Sequence, residues 1–372
     1  MKVAIVCAFD TYFDRVKLLK KYYQGRGLDV IVITSNFSHR KKEYYVNSEA
    51  DIIVKVKSYQ KNLSFSRLFS HYEFSIKSEK EIEKVKPDYI HALIPCNSLV
   101  RELVKYKKRN SVKLIFDIID LWPETIPVSF FKQVPPFKIW KNMRDKYLDE
   151  GDIVFTECNL FQEILHKVYD PKYVTLYWSK MEKPIKSKYK KTDGFKFCYL
   201  GSINNIIDIK LIIKFLAICN KQKKTTLHII GNGEAKQLFV SQAISVGVQV
   251  IDHKEVYSQQ EKQLIFDQCD YGFNVMKQNV VVGLTMKSLD YMCGGLPILN
   301  TIQGDTKQIC NNQNIGFNIN YDNLEHIVSL LHNEQEYQLL EKRNTIKKLY
   351  LSTFTSEVFF SVLDEALMKG KI

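Results

Sequence analysis

At 372 residues the chain exceeds the size at which one hydrophobic core keeps growing, so two domains are expected. Its apolar share of 45% is ordinary for a globular protein, and no stretch reaches the roughly 18 uncharged apolar residues that span a bilayer. The net charge of +13 is uneven: residues 1–180 carry 31 Lys and Arg against 22 Asp and Glu, while residues 195–372 carry 18 against 17. A basic first half suits an anionic membrane face or an acidic ligand, and the absence of an RNA-binding or helix-turn-helix signature argues against nucleic acid.

The opening Met1–Ala8 is a short apolar run without the basic lead and small-residue cleavage site of a secretory signal. None of the eight cysteines forms a CxxC pair, so neither a zinc site nor a redox motif is expected. No Asp-x-Asp metal motif is present either. Buried free thiols and a reducing cytoplasm fit this usage.

In chain order, Lys2–Ala8 reads as a strand. Tyr12, Phe13, Val16, Leu19 and Tyr23 then recur at helical spacing, with Arg15, Lys17, Lys20 and Lys21 between them. Gly25-Arg26-Gly27 stops that helix, and Asp29–Thr34 is the next strand, a βαβ opening with a right-handed crossover expected. Asp51–Val56, Tyr89–Leu93, Lys113–Ile119 and Asp152–Thr156 read as further strands, with a basic helix over Asn97–Lys108. Met181–Gly194 has no apolar period and reads as a basic linker. A second alternating set follows, with strands at Phe195–Tyr199, Thr225–Ile230, Val248–Ile251, Tyr271–Val275 and Pro297–Asn300, and helices between and after them.

Strands alternating with helices argue for an α/β protein of two Rossmann-like, doubly wound parallel sheets. The expected divisions are residues 1–180, the linker 181–194, a second domain 195–353 and a C-terminal helical segment 354–372 that can pack back on the first domain. Two such halves place a central cleft between strand C-terminal ends, where open α/β sheets bind ligands.

Three glycine turns stand at strand ends of the second half: Gly201-Ser202, Gly231-Asn232-Gly233, and Gly283-Leu284-Thr285 before a short helix. Glycines there let a backbone approach a ligand, and a helix start favours phosphate. Thr285 is a candidate N-cap, Lys287 a candidate phosphate contact and Asp290 a candidate ribose acceptor. In the first half, Asp120 and Glu124 flank Leu121-Trp122-Pro123 after a strand and are candidates for acid–base or hydroxyl-orienting work. His91, and His39-Arg40-Lys41 in a loop after another strand, are candidate acceptor contacts.

Leu200-Gly201-Ser202, His228-Ile-Ile-Gly-Asn-Gly-Glu234 and Lys287-x-x-Asp290-Tyr-Met-x-x-Gly-Leu-Pro297 resemble the donor half of GT-B glycosyltransferases, in particular the retaining group (family 4) that builds bacterial polysaccharides. The resemblance covers the chain in layout and is specific mainly over residues 195–320. It implies a GT-B architecture with an acceptor domain first and a nucleotide-sugar domain second. It also implies metal-independent transfer of a hexose-type sugar, with retention, from a nucleoside diphosphate (UDP by family prior). The second acid of the family's Glu-x7-Glu motif falls on Asp290; Val282 stands where the first acid would. Ser202, Asn204 and Asn205 occupy the region where many relatives carry an Arg and a Lys for the diphosphate.

The implied acceptor is a lipid-linked glycan at the cytoplasmic membrane face, on which the Lys-rich helix at Thr11–Gln24 can rest peripherally. Two other readings stay open: a degenerate subunit supporting a partner glycosyltransferase, favoured by Val282, and a nucleotide-sugar epimerase of the same fold.

Overall fold

The computed structural model describes residues 1–126 and 135–370. The final two residues of the expected C-terminal segment lie outside them. The chain divides into two compact units, Met1–Trp178 with Phe359–Ile372, and Ser179–Val358.

The first unit is built on a seven-stranded parallel sheet. Its strands are β1 (Lys2–Cys7), β2 (Asp29–Ser35), β5 (Ile52–Val54), β6 (Tyr89–Ile94), β7 (Lys113–Ile118), β8 (Ile153–Thr156) and β9 (Tyr173–Thr175). Their order is β5-β2-β1-β6-β7-β8-β9. A two-stranded antiparallel hairpin, β3 (Phe37–Ser38) with β4 (Glu43–Tyr44), follows β2. Helices α1 (Phe13–Gly25), α2 (Phe65–Val85), α3 (Asn97–Lys107), α4 (Pro135–Leu148) and α5 (Asn159–Leu165) accompany the sheet. The strand interiors are almost wholly apolar, as expected of a parallel sheet covered on both faces.

The second unit repeats the plan with six parallel strands in the order β12-β11-β10-β13-β14-β15. They are β10 (Phe195–Leu200), β11 (Thr225–Ile230), β12 (Gln249–Asp252), β13 (Tyr271–Asn274), β14 (Ile298–Asn300) and β15 (Gly316–Asn318). Its helices are α6 (Ile209–Gln222), α7 (Lys236–Ser245), α8 (Gln259–Phe266), α9 (Met286–Gly294), α10 (Asp305–Gln313), α11 (Leu324–Asn333) and α12 (Glu336–Thr353). The last helix, α13 (Ser356–Lys369), carries the chain back to the first unit, where Asp364 accepts hydrogen bonds from Tyr22 Oη (2.9 Å) and Arg26 Nε (2.8 Å).

In each sheet the strand order reverses once, between β1 and β6 and between β10 and β13. The loops leaving the C-terminal ends of those strands diverge to opposite faces and open a crevice, which is the usual ligand position in such sheets.

The expected linker does not stand free of the second unit. Residues 182–194 form no helix or strand, yet Ser187 Oγ and the Lys188 amide donate to Asp267, Tyr189 Oη donates to Asp270 at 2.6 Å, and the Arg343 guanidinium lies 4.0 Å from the Tyr189 ring centroid. Lys183, Lys188 and Lys190 face water and give it a linker's look, while its one aromatic is buried. All eight cysteines are free and buried. Among the described residues no helix is long and apolar enough to cross a membrane, and no group of three or more His, Cys, Asp or Glu could hold a metal ion.

Candidate functional site

In the second unit the structure brings together the switch-point loop after β10 and the head of α9. Thr285 caps α9, accepting from the Ser288 amide at 3.2 Å. Its hydroxyl donates to Asn274 Oδ1 (2.8 Å) at the end of β13. Asn274 in turn donates to Asn300 (2.9 Å) and Asn300 to Asn318 (2.7 Å), an amide ladder across β13, β14 and β15 that fixes the cap to the sheet. Gly283 and Leu284 are buried just before it, with the Gly283 carbonyl accepting from the Thr306 amide and hydroxyl.

Lys287, in the first turn of α9, points at the β10 loop. Its Nζ donates to Tyr199 Oη at 3.2 Å and lies 4.5 Å from that ring's centroid. A Cβ on Gly201 would sit 3.7 Å from Lys287 Cε. Among the described residues no carboxylate pairs with this ammonium, and burial alone pushes its pKa down to about 8. An unpaired cation beside a helix N-terminus is a strong local field for an anion.

The other glycine turns have a different duty. The Gly201 amide donates to the Ile230 carbonyl and the Gly231 amide to the Lys254 carbonyl, so neither is free for a phosphate. Gly231 (φ +140°) and Gly233 (φ +148°) are glycines because the loops after β10 and β11 pack backbone to backbone. A Cβ at either would collide with the carbonyl oxygen of Gly201 or Ile203. Ser202 shares the same turn, its carbonyl accepting from Tyr199 Oη at 2.8 Å.

Asp290 lies mid-helix in α9, one turn beyond Lys287, and is buried rather than turned to water. Lys180 and Lys262 both donate to its Oδ1, at 2.7 and 2.9 Å. Neither lysine was singled out from the sequence; both are remote from it along the chain and give no local signal. Val282 is half-buried just upstream.

In the first unit, the ends of β1, β2 and β7 gather a second set of groups. Asp120 follows β7, and Thr125 Oγ1 donates to it. Burial raises its pKa, only partly offset by Thr125, Arg67 and nearby donors, to about 6. Arg67 of α2 lies flat on Trp122, 3.6 Å from the ring centroid. His39 Nδ1 lies 2.6 Å from Tyr59 Oη, and the Lys42 ammonium lies 4.7 Å from the Tyr59 ring centroid. Burial, then the charges of Arg67 and Lys42, push the His39 pKa down to about 3, so its ring is neutral. Asp10 holds this loop by accepting from Ser38 Oγ and the His39 amide.

Four sequence candidates take other places. Glu124 is gripped by Arg144 (2.8 and 3.2 Å) and Lys141 (2.9 Å). Burial would raise its pKa, but Arg144 outweighs it and holds the carboxylate below its usual value. Arg144 also donates to the Trp122 carbonyl, so the pair braces the turn rather than supplying an acid or base. His91 is fully buried in mid-β6, 3.4 Å from Asp117 Oδ2 and 2.9 Å from Tyr23 Oη, beneath α1 and away from any strand end. Arg40 and Lys41 are exposed, Lys41 pairing loosely with Glu43 at 3.5 Å; within that loop it is His39 and Lys42 that turn inward.

On α1, Phe13 and Tyr23 are buried against the sheet, while Lys17 and Lys21 face outward.

No family model matches the chain and no curated protein matches it by sequence. Solved structures do. The lipopolysaccharide outer core galactosyltransferase WaaB in its apo form superposes with a TM-score of 0.68 at 13% identity, covering 100% of both chains. HepE from Anabaena in complex with UDP-glucose gives 0.67 at 11%, covering 99% of this chain and 100% of the other. Sucrose-phosphate synthase from Thermosynechococcus elongatus gives 0.72 at 9%, covering 99% and 98%. Two parallel sheets, each reversing strand order once, and these full-length superpositions show that the chain has the GT-B fold of glycosyltransferases, built from two Rossmann-like units.

Proposed function

We propose that this protein is a glycosyltransferase. It moves a hexose-type sugar, with retention, from a UDP-sugar to a hydroxyl of a cell-surface polysaccharide or lipid-linked oligosaccharide acceptor at the inner face of the membrane. The observation that carries the reading is Lys287: a cation without an acidic partner among the described residues, seated at a helix start and a glycine turn on the switch point of the second sheet. Support comes from HepE, a protein of the same fold whose structure holds UDP-glucose.

In the reaction the bond between the anomeric carbon and the β-phosphate oxygen breaks, and a bond to the acceptor oxygen forms. The leaving diphosphate gains negative charge, which Lys287 and the α9 dipole are placed to meet without a metal. The hydroxyl proton leaves the acceptor, and Asp120, whose pKa burial raises to about 6, is the candidate to take it. Asp290 is assigned the donor ribose through the family pattern.

A thermal-shift screen of nucleoside diphosphates tests the donor. UDP is expected to raise the melting temperature by mass action. Lys287→Met is expected to weaken UDP by about 10- to 100-fold, the loss of a charge-assisted hydrogen bond of roughly 1.5–3 kcal/mol. The free-protein ammonium is charged below about pH 8, so UDP affinity is expected to hold at neutrality and fall as pH rises through 8, a fall that Lys287→Met removes. An unchanged affinity in the variant sinks the assignment. UDP binding with no turnover on any acceptor favours the second reading, a supporting subunit that has lost activity, for which Val282 is the motivating residue.

The exposed Lys17 and Lys21 edge of α1 is the proposed contact with anionic lipid. Lys17→Glu with Lys21→Glu is expected to reduce co-sedimentation with phosphatidylglycerol vesicles at low salt. Equal sedimentation of both proteins would remove α1 from the membrane model.

A further inference from the structure

The first unit holds a groove of about 440 Å³ that donor chemistry does not explain. Leu63, Phe65, Leu68, Pro136, Phe137 and Trp140 give it an almost wholly hydrocarbon wall. Phe65 is 78% exposed and Leu63 48%, so apolar surface continues from the groove to the outside. Such a wall has little to offer a nucleotide or a free sugar, since it leaves their polar groups unpaired.

One lining residue breaks the pattern. Arg67 is 97% buried, and its guanidinium donates to the Asn62 carbonyl (2.8 Å) and toward His71 Nε2 (3.4 Å). Its Nη2 is buried and makes no hydrogen bond of good geometry, although the Tyr59 hydroxyl interacts with the guanidinium, and no carboxylate forms an ion pair with it among the described residues. A buried charge is ordinarily paired, so a guanidinium without a counter-charge marks a place for an anion. The Lys42 ammonium shares the same aromatic neighbour, Tyr59, with Arg67. Hydrocarbon wall and unpaired cation together are complementary to one kind of molecule, an apolar chain that ends in a phosphate.

We infer that this groove binds a lipid phosphate, its chain against Leu68, Phe137 and Trp140 and its phosphate on Arg67. Calling that lipid the sugar acceptor rests on the glycosyltransferase reading; the binding site does not. Arg67 is also a charge that Asp120 feels.

The test titrates the full chain with dodecyl phosphate below its aggregation concentration, read by thermal shift and Trp fluorescence. Inorganic phosphate and dodecanol are the comparison arms. Dodecyl phosphate is expected to bind at least about tenfold more tightly than either. Phe65→Asp, on a side chain too exposed to disturb folding, and Arg67→Gln are each expected to weaken it about tenfold while the UDP response stays intact. Equal binding of inorganic phosphate would make this a free-phosphate site, and unchanged affinity in Phe65→Asp would remove the chain from the groove; either overturns the inference. A UDP response without dodecyl phosphate binding sinks the groove alone. Dodecyl phosphate binding without any nucleotide response sinks the donor reading and leaves the groove standing.

Discussion

Replacing Asp117 with alanine is expected to cost about 3–5 kcal/mol of stability, the largest single-residue effect in the first unit. Asp117 on β7 and Arg15 on α1 are both wholly buried, and the guanidinium meets both carboxylate oxygens at 2.7 Å. Arg15 also donates to the Leu176 and Tyr177 carbonyls, and lies 5.1 Å from the Phe359 ring centroid. One side chain thereby ties together α1, β7, the segment after β9 and α13. Alanine at 117 leaves the guanidinium charged, dry and without its counter-charge. Burial alone would raise the Asp117 pKa, but the Arg15 charge and the hydrogen bonds from His91 and Arg15 hold it below the usual carboxylate value. The pair's contribution is therefore complete above the unfolded pKa of about 3.9 and is lost as pH falls through the lower, folded value. Urea unfolding at pH 7 and at acid pH measures both effects. The double replacement Arg15→Met with Asp117→Leu is expected to recover much of the loss, because two apolar groups leave no orphaned charge. A single-variant loss under about 1 kcal/mol would mean that water reaches the guanidinium.

That pair shows where sequence reading stops. Parallel strands buried on both faces announce themselves as apolar runs, and the expected Thr225–Ile230 coincides with β11, while Lys2–Ala8 differs from β1 by one residue. Arg15 lies among Lys17, Lys20 and Lys21 and reads as one more solvated cation; only the fold brings it to a partner 102 residues away. Helix α2 was not foreseen at all. Its buried face, Arg67, Ser70, His71, Phe74, Ser75, Ser78 and Ile82, is mostly polar, whereas Phe65, Phe69 and Tyr72 are exposed, so no clean apolar period marks it. Missing α2 meant missing Arg67, and with it the charge that neighbours Asp120 and lines the groove. The head of α9 was more legible, because Thr285 and the Gly294-Gly295 stop are local cap signals. What stayed hidden there was the pairing of Asp290 with Lys180 and Lys262, which depends on α8 and on a segment over a hundred residues earlier.

The chemical consequence rests on the contrast between two carboxylates four residues apart. Glu124 is held ionised by Arg144 and Lys141, and its two oxygens are already engaged. Among the described residues no such cation is clamped to Asp120; burial lifts its pKa to about 6, close to the pH at which a general base works best. Asp120→Asn keeps the side chain's size while removing the proton acceptor. It is expected to lower kcat/KM about 10²- to 10⁴-fold, read as UDP release from a UDP-sugar in the presence of acceptor. The wild-type rate should fall as pH drops through about 6, because the protonated acid cannot take the acceptor's proton, and this acidic limb should vanish in the Asn variant. Glu124→Gln separates the two roles: loss of the Arg144 pair is expected to lower the melting temperature while the limb near pH 6 remains. If instead Asp120→Asn retained that limb, or Glu124→Gln abolished it, the base would not be Asp120, and the proton would have to leave through another group, the departing diphosphate among them.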